Sequence, residues 1–143
     1  MDKVLLVGID GSDAGRRALH FATGRARDLG AKLVLVHVIP WSPYSFNTPE
    51  ENEQRHERRQ RELEYTRTQL LEPAQQDVGE GIEVVLIAKH GDRSELLNQL
   101  AREHDADHII VGRTGEGRMR SRLFGSVPST LGQIADVPVT VVP

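Results

Sequence analysis

Between Val111 and Ser126 the chain reads VGRTGEGRMRSRLFGS, with four glycines, four arginines and one glutamate. Glycines let a backbone come close to an oxyanion, arginines supply positive charge, and a helix start supplies N–H groups at the positive end of a dipole. Together they suit the binding of an anion, phosphate above all. Neither familiar phosphate loop fits. Reading G-x-x-x-x-G-K-[ST] from Gly112 places Arg118 and Met119 where Lys and Ser/Thr belong, and reading G-x-G-x-x-G from Gly115 places Arg120 on the third glycine. The glycines instead fall into a leading pair, Gly112 and Gly115, and a trailing Gly125 followed by Ser126, which offers both an N–H and a hydroxyl. Pro128 suits a first helical turn, where its missing N–H costs nothing, and it removes one phosphate donor. Ser126 and Val127 are therefore the expected donors at that end. A plain Gly/Arg-rich surface loop is the alternative that these residues alone leave open.

A second loop could share the work. The stretch GIDGSDAG follows the first apolar run and carries Asp10, a carboxylate able to face a ligand or simply to cap the helix after it.

The elements that must position these loops are legible in the apolar pattern. Val4–Ile9, Lys32–Ile39, Ile82–Ala88, His108–Val111 and Val137–Val142 are Val/Ile/Leu-rich with little polar alternation, as strands buried on both faces are. Between them, Ala14, Ala18, Phe21, Ala22, Ala26 and Leu29 share one helical face, with Ser12 or Asp13 to start the helix and Gly30 to stop it. Leu97, Leu100, Ala101 and His104 form a second stripe behind Asp92 and Ser94, and Val127, Leu131, Ile134 and Ala135 a third. Pro49 to about Val78 reads as one charged helix with a largely solvated face, anchored by Leu63, Leu70 and Leu71. The loop PWSPYSFNTPEEN ahead of it reads as a turn or lid. This alternation predicts an α/β domain with a mostly parallel sheet and right-handed crossovers, with ligands beyond the carboxyl ends of the strands.

With 143 residues the chain is expected to be one domain, 1–143. A formal net charge of −3 argues against a general nucleic-acid binder, since such affinity rests on many Lys and Arg contacts to phosphates. The absence of cysteine excludes disulfides, thiol catalysis and zinc-thiolate sites. The six histidines show no H-E-x-x-H motif, and His37, inside a strand, reads as a core residue with its hydrogen bond satisfied. No metal site made by the protein alone is expected. No run approaches the roughly 20 apolar residues of a membrane span, and KVLLVGID opens without the features of a leader, so no membrane partner and a cytoplasmic location are expected.

Gly112-x2-Gly115-x9-Gly125-Ser126 resembles the G-x2-G-x9-G-[ST] signature of the ATP-binding branch of the universal stress protein family. The likeness extends over nearly the whole chain, through VLLVGIDGSDAGRRAL, LVLVHVIP, HGDRSELLNQLAREHDADHIIVG and ADVPVTVV, in order. It implies a Rossmann-like α/β fold: an open five-stranded parallel sheet of order 3-2-1-4-5, with helices on both faces. It implies ATP as ligand, with Mg²⁺ carried on the phosphates. By position, Asp10 corresponds to the aspartate beside the ribose or metal–phosphate region, with Ile9 next to it, and Val38 to the backbone contact with the adenine edge. Gly112, Arg113, Gly115, Gly125, Ser126 and Val127 correspond to the phosphate and ribose cradle. The resemblance also implies a homodimer paired through the last strand, 137–142; a Val-rich edge strand would be an aggregation hazard if left bare. Other nucleotide folds fit less well: DGSDAG does not match the S-G-G-x-D-S loop of nucleotide-activating pyrophosphatases, and the opening segment lacks the lysine of class I synthetase-like transferases.

Phosphoryl transfer needs a group to orient the nucleophile, and Glu116 is the one carboxylate in the arginine-bearing segment, suited to a solubilising charge. No catalytic residue is assigned. The expected function is a nucleotide-binding regulatory protein whose ligand orders the 113–124 loop and changes the surface shown to a protein partner not yet identified. Two alternatives stand beside it: a slow ATPase or self-phosphorylating protein, with Ser126, Ser121 or Thr114 as acceptor, and a structural dimer that binds no nucleotide.

Overall fold

In each central strand, alternate residues reach opposite faces, and both faces are apolar. Leu5 and Val7 of the first strand, with Leu33 and Leu35 of the second, point into one core cluster; Val4, Leu6, Val34 and Val36 point into another. This two-sided burial explains the unbroken apolar runs. The computed structural model describes residues 3–41, 48–113 and 126–143. Its strands are β1 (Val4–Gly8), β2 (Lys32–Ile39), β3 (Val84–His90), β4 (His108–Gly112) and β5 (Val139–Val142). All four pairings are parallel, and the sheet order is β3-β2-β1-β4-β5. The third and fifth strands start two residues later than the apolar runs suggest, and β3 continues to His90.

Four of the five described α-helices, that at Glu72–Val78 excepted, begin on a side-chain cap. Ser12 caps α1 (Asp13–Leu29), its hydroxyl accepting from the Gly15 N–H at 3.0 Å. Gly30 ends that helix in the left-handed conformation, φ 66°, which carries no Cβ penalty in glycine. Thr48 and Glu51 form a reciprocal capping box at the start of α2 (Pro49–Thr66). Asp92 caps α4 (Arg93–Glu103) and Ser126 caps α5 (Val127–Ile134).

The charged segment is one continuous helical rod, as expected, with a change of pitch inside it. Residues Arg67–Leu71 form a π turn between α2 and α3 (Glu72–Val78). Pro73 lacks an N–H and its ring crowds the carbonyl four residues back, so a local widening of the ladder relieves it. Thr66, Leu71, Ala74 and Val78 are buried, Leu70 packs partly buried against the core, and most other residues of the rod are exposed.

The α1 and α3 helices cover one face of the sheet and α4 and α5 the other. Three residues of the expected helical stripes are corrected by the structure. Phe21 and Leu29 of α1 and Ile134 of α5 are 40%, 43% and 38% exposed. They lie at the margins of their stripes, while Ala14, Ala18, Leu19, Ala22 and Ala26 make the buried face of α1 and Leu131 that of α5. Among the described residues no helix is long and apolar enough to cross a membrane.

Candidate functional site

The order β3-β2-β1-β4-β5 reverses direction between β1 and β4, so the loops leaving these two strands part to opposite sides and open a crevice. A cavity of about 660 Å³ lies there, over the carboxyl ends of the strands. Val36 and Val38 from β2, Leu97 from α4 and Val111 from β4, all members of one core cluster, supply apolar lining.

Seven of the nine residues singled out in the sequence line this cavity: Ile9, Asp10, Val38, Gly112, Arg113, Ser126 and Val127. The other two, Gly115 and Gly125, lie outside the described residues. Residues from the first turns of three helices also line it: Gly15 of α1, Arg93 and Ser94 of α4, and Val127 and Pro128 of α5. Helix starts present N–H groups and positive dipole ends, so three on one cavity favour an anionic ligand. Arg93 and Arg113 add formal positive charge.

The local geometry shows how each residue is held. The Asp10 carboxylate accepts from the Ser12 N–H at 3.0 Å and from the Ser12 hydroxyl at 2.5 Å, while that hydroxyl in turn accepts from Gly15 N. Asp10 therefore orients the cap of α1 as well as lining the cavity. A Cβ on Gly15 would stand 2.8 Å from Asp10 Oδ1, so a larger residue there would have to displace this carboxylate. Ile9 has both backbone groups engaged: its N–H donates to the Val36 carbonyl at 2.8 Å and its carbonyl lies 2.6 Å from His37 Nδ1. A carbonyl can only accept, so Nδ1 carries the proton and, in the neutral ring, Nε2 is left as an acceptor. His37 has its hydrogen bond satisfied, as expected, but it lines the cavity and is only half-buried, so its reading as a core residue is corrected. The Arg113 N–H donates to the Val142 carbonyl at 2.7 Å, continuing the β4–β5 ladder. What Arg113 can offer an anion is its guanidinium.

Gly112 has a packing reason of its own. A Cβ on it would meet the backbone of Ala14, 2.7 Å from the carbonyl carbon, so the start of α1 can approach the end of β4 only over a glycine. Spacing alone did not reveal His37, Gly15, Trp41, Gly91, Asp92, Arg93 or Ser94 as lining residues. The signal for the last four was present in HGDRS, which follows an apolar run just as the two recognised loops do. Among the described residues no group of three or more His, Asp or Glu side chains could hold a metal ion.

The sheet order agrees with comparison to known proteins. The profile of the universal stress protein family matches residues 1–143. The chain belongs to that family. The universal stress protein YxiE of Bacillus subtilis is 29% identical over 153 residues, covering 96% of this chain and 97% of its own. A universal stress protein of Thermus aquaticus is 31% identical over 144 residues, covering 99% of both. The chain spans 47% of a longer universal stress protein of Mycobacterium tuberculosis to which it is 30% identical. Among solved structures, universal stress protein UspA of Lactobacillus plantarum superposes with a TM-score of 0.83 at 24% identity, over 99% of this chain and 97% of that one. A universal stress protein solved in complex with cAMP gives 0.66 at 25% identity, over 99% and 96%. One from Archaeoglobus fulgidus solved with dAMP shares the fold, 0.60 at 22% identity, over 100% and 98%.

Proposed function

We propose that this universal stress protein is an adenine-nucleotide-binding regulatory protein, with ATP and its Mg²⁺ held in the switch-point cavity of a single domain. The observation that carries the reading is the convergence of Asp10, Val38, Gly112, Arg113, Ser126 and Val127, distant in sequence, on one cavity ringed by three helix starts. The cavity volume of about 660 Å³ falls in the range of small-molecule and cofactor sites. The relative solved with cAMP, at 25% identity, supports an adenine nucleotide as the ligand class.

In this reading the Val38 backbone meets the adenine edge and Asp10 the ribose or the metal–phosphate region. Ser126 and Val127 receive phosphate oxygens at the start of α5, with Gly112, Arg113 and the glycines at 115 and 125 completing the cradle. Bound Mg²⁺ would neutralise phosphate charge. The two aspartates lining the cavity are engaged in helix caps, Asp10 through Ser12 and Asp92 through the Glu95 N–H, which suits binding better than proton transfer. The protein works in the cytoplasm as a homodimer paired through residues 137–142, and its nucleotide state changes the surface that the 113–124 segment shows to a partner.

Native mass spectrometry of freshly purified protein tests both parts together. The expected spectrum is a dimer that carries an adenine nucleotide or takes up added Mg-ATP. A dimer that retains none and binds none at millimolar Mg-ATP would assign the chain to the structural role instead.

A further inference from the structure

Trp41 is the only tryptophan of the chain, and it lines the cavity while remaining 59% exposed. An indole left so open is normally mobile; this one is held. Its ring stacks on His90, with centroids 5.2 Å apart and planes 21° from parallel, and the Arg59 guanidinium stands 5.6 Å from its centroid. His90 is a buried support: its side chain is 7% exposed at the end of β3. The side-chain entropy that a ligand would otherwise have to remove from Trp41 is thus largely lost before binding.

The position of the ring matters as much as its rigidity. Trp41 follows the end of β2, while Arg113 and Ser126 follow the end of β4, and β1 alone lies between these strands. The aromatic ring and the anion-receiving residues Arg113 and Ser126 line the same cavity, an arrangement suited to a ligand with a flat ring at one end and phosphate at the other.

We infer that Trp41 is the residue by which the cavity recognises a base: the indole packs against the planar heteroaromatic ring of the ligand, and His90 and Arg59 hold it in position for that contact. The inference rests on the nucleotide reading above and deepens it. It makes the preference for base-bearing ligands over bare polyphosphate a property of one side chain.

The test compares wild type, Trp41→Ala and Trp41→Phe by calorimetric titration with Mg-ATP and with magnesium tripolyphosphate, which has the phosphates but no base. In wild type, ATP is expected to change the fluorescence of the lone tryptophan and tripolyphosphate to leave it unaltered. Trp41→Ala should weaken ATP on the order of tenfold and leave tripolyphosphate within twofold, while Trp41→Phe should retain most of the ATP affinity. A Trp41→Ala protein with a wild-type melting curve that binds ATP as tightly as wild type overturns the inference and leaves the nucleotide reading standing. Equal weakening of both ligands also overturns it, since a loss blind to the base is structural. Wild type that binds tripolyphosphate but gains nothing from the base of ATP overturns it too, and wild type that binds neither removes the nucleotide reading itself.

Discussion

The α-carbon of Gly112 faces the backbone of Ala14 so closely that an added Cβ would lie 2.7 Å from its carbonyl carbon and 2.8 Å from its carbonyl oxygen. Backbone cannot move aside as a flexible side chain can, so Gly112→Ala must push α1 away from β4. The expected loss is about 1–3 kcal/mol of stability, as for other overpacked sites. Denaturant unfolding reads it, and a midpoint equal to that of wild type contradicts the close approach.

Asp10 allows fold and ligand contact to be separated. Asp10→Asn keeps an oxygen to accept from Ser12 but loses the negative charge, so the α1 cap should survive and the melting temperature should change little. Binding of Mg-ATP should weaken on the order of tenfold, the usual scale for a lost charged hydrogen bond or metal contact. Unchanged affinity would restrict Asp10 to its capping role.

Nucleotide binding and dimerisation should come apart in two variants. Gly115→Val is expected to abolish nucleotide binding and leave the dimer. Val141, 42% exposed on the edge strand β5, is the natural place for the converse. Val141→Lys sets like charges against each other in a symmetric pairing and should give a monomer by analytical ultracentrifugation, with nucleotide affinity kept. A Val141→Lys dimer as tight as wild type moves the interface elsewhere.

His108 predicts a pH effect on stability. Its Nε2 lies 2.5 Å from the Thr140 hydroxyl, between β4 and β5. Burial, and secondarily the positive charge of Arg25, hold its pKa below the ordinary value near 6.5. The folded state therefore resists the proton that the unfolded state accepts, and the contribution of His108 is complete above pH 6.5 and is lost as pH falls through the lowered folded pKa. Melting temperatures from pH 8 to 5 should fall more steeply for wild type than for His108→Gln. Parallel curves would show that His108 titrates alike in both states.

Limited proteolysis adds a direct test of regulation. Cleavage within Arg113–Arg122 should slow in the presence of Mg-ATP, and equal rates with and without nucleotide would remove the idea that the ligand orders this segment.

Much of this protein is fixed by local chemistry and can be read from residues in order. Unbroken Val/Ile/Leu runs specify strands buried on both faces, Ser12, Asp92 and Ser126 specify helix starts, and Gly30 specifies a stop; none of these needs a distant partner to act. The Gly112 to Ser126 spacing likewise carries its family resemblance in one stretch. Residues whose meaning depends on what lies across from them were a different matter. Phe21, Leu29 and Ile134 have the periodicity of core residues, and only the packing of helix on sheet decided that they stand partly in water. His37 looks like core within its strand, yet the sheet ends just beyond it and leaves it beside the cavity. Trp41 and His90 are separated by 48 intervening residues and meet because β2 and β3 pair side by side. Pattern along a chain records which face a residue prefers, while the crossovers of the fold decide which strand ends share a crevice, and the candidate site is made from those ends.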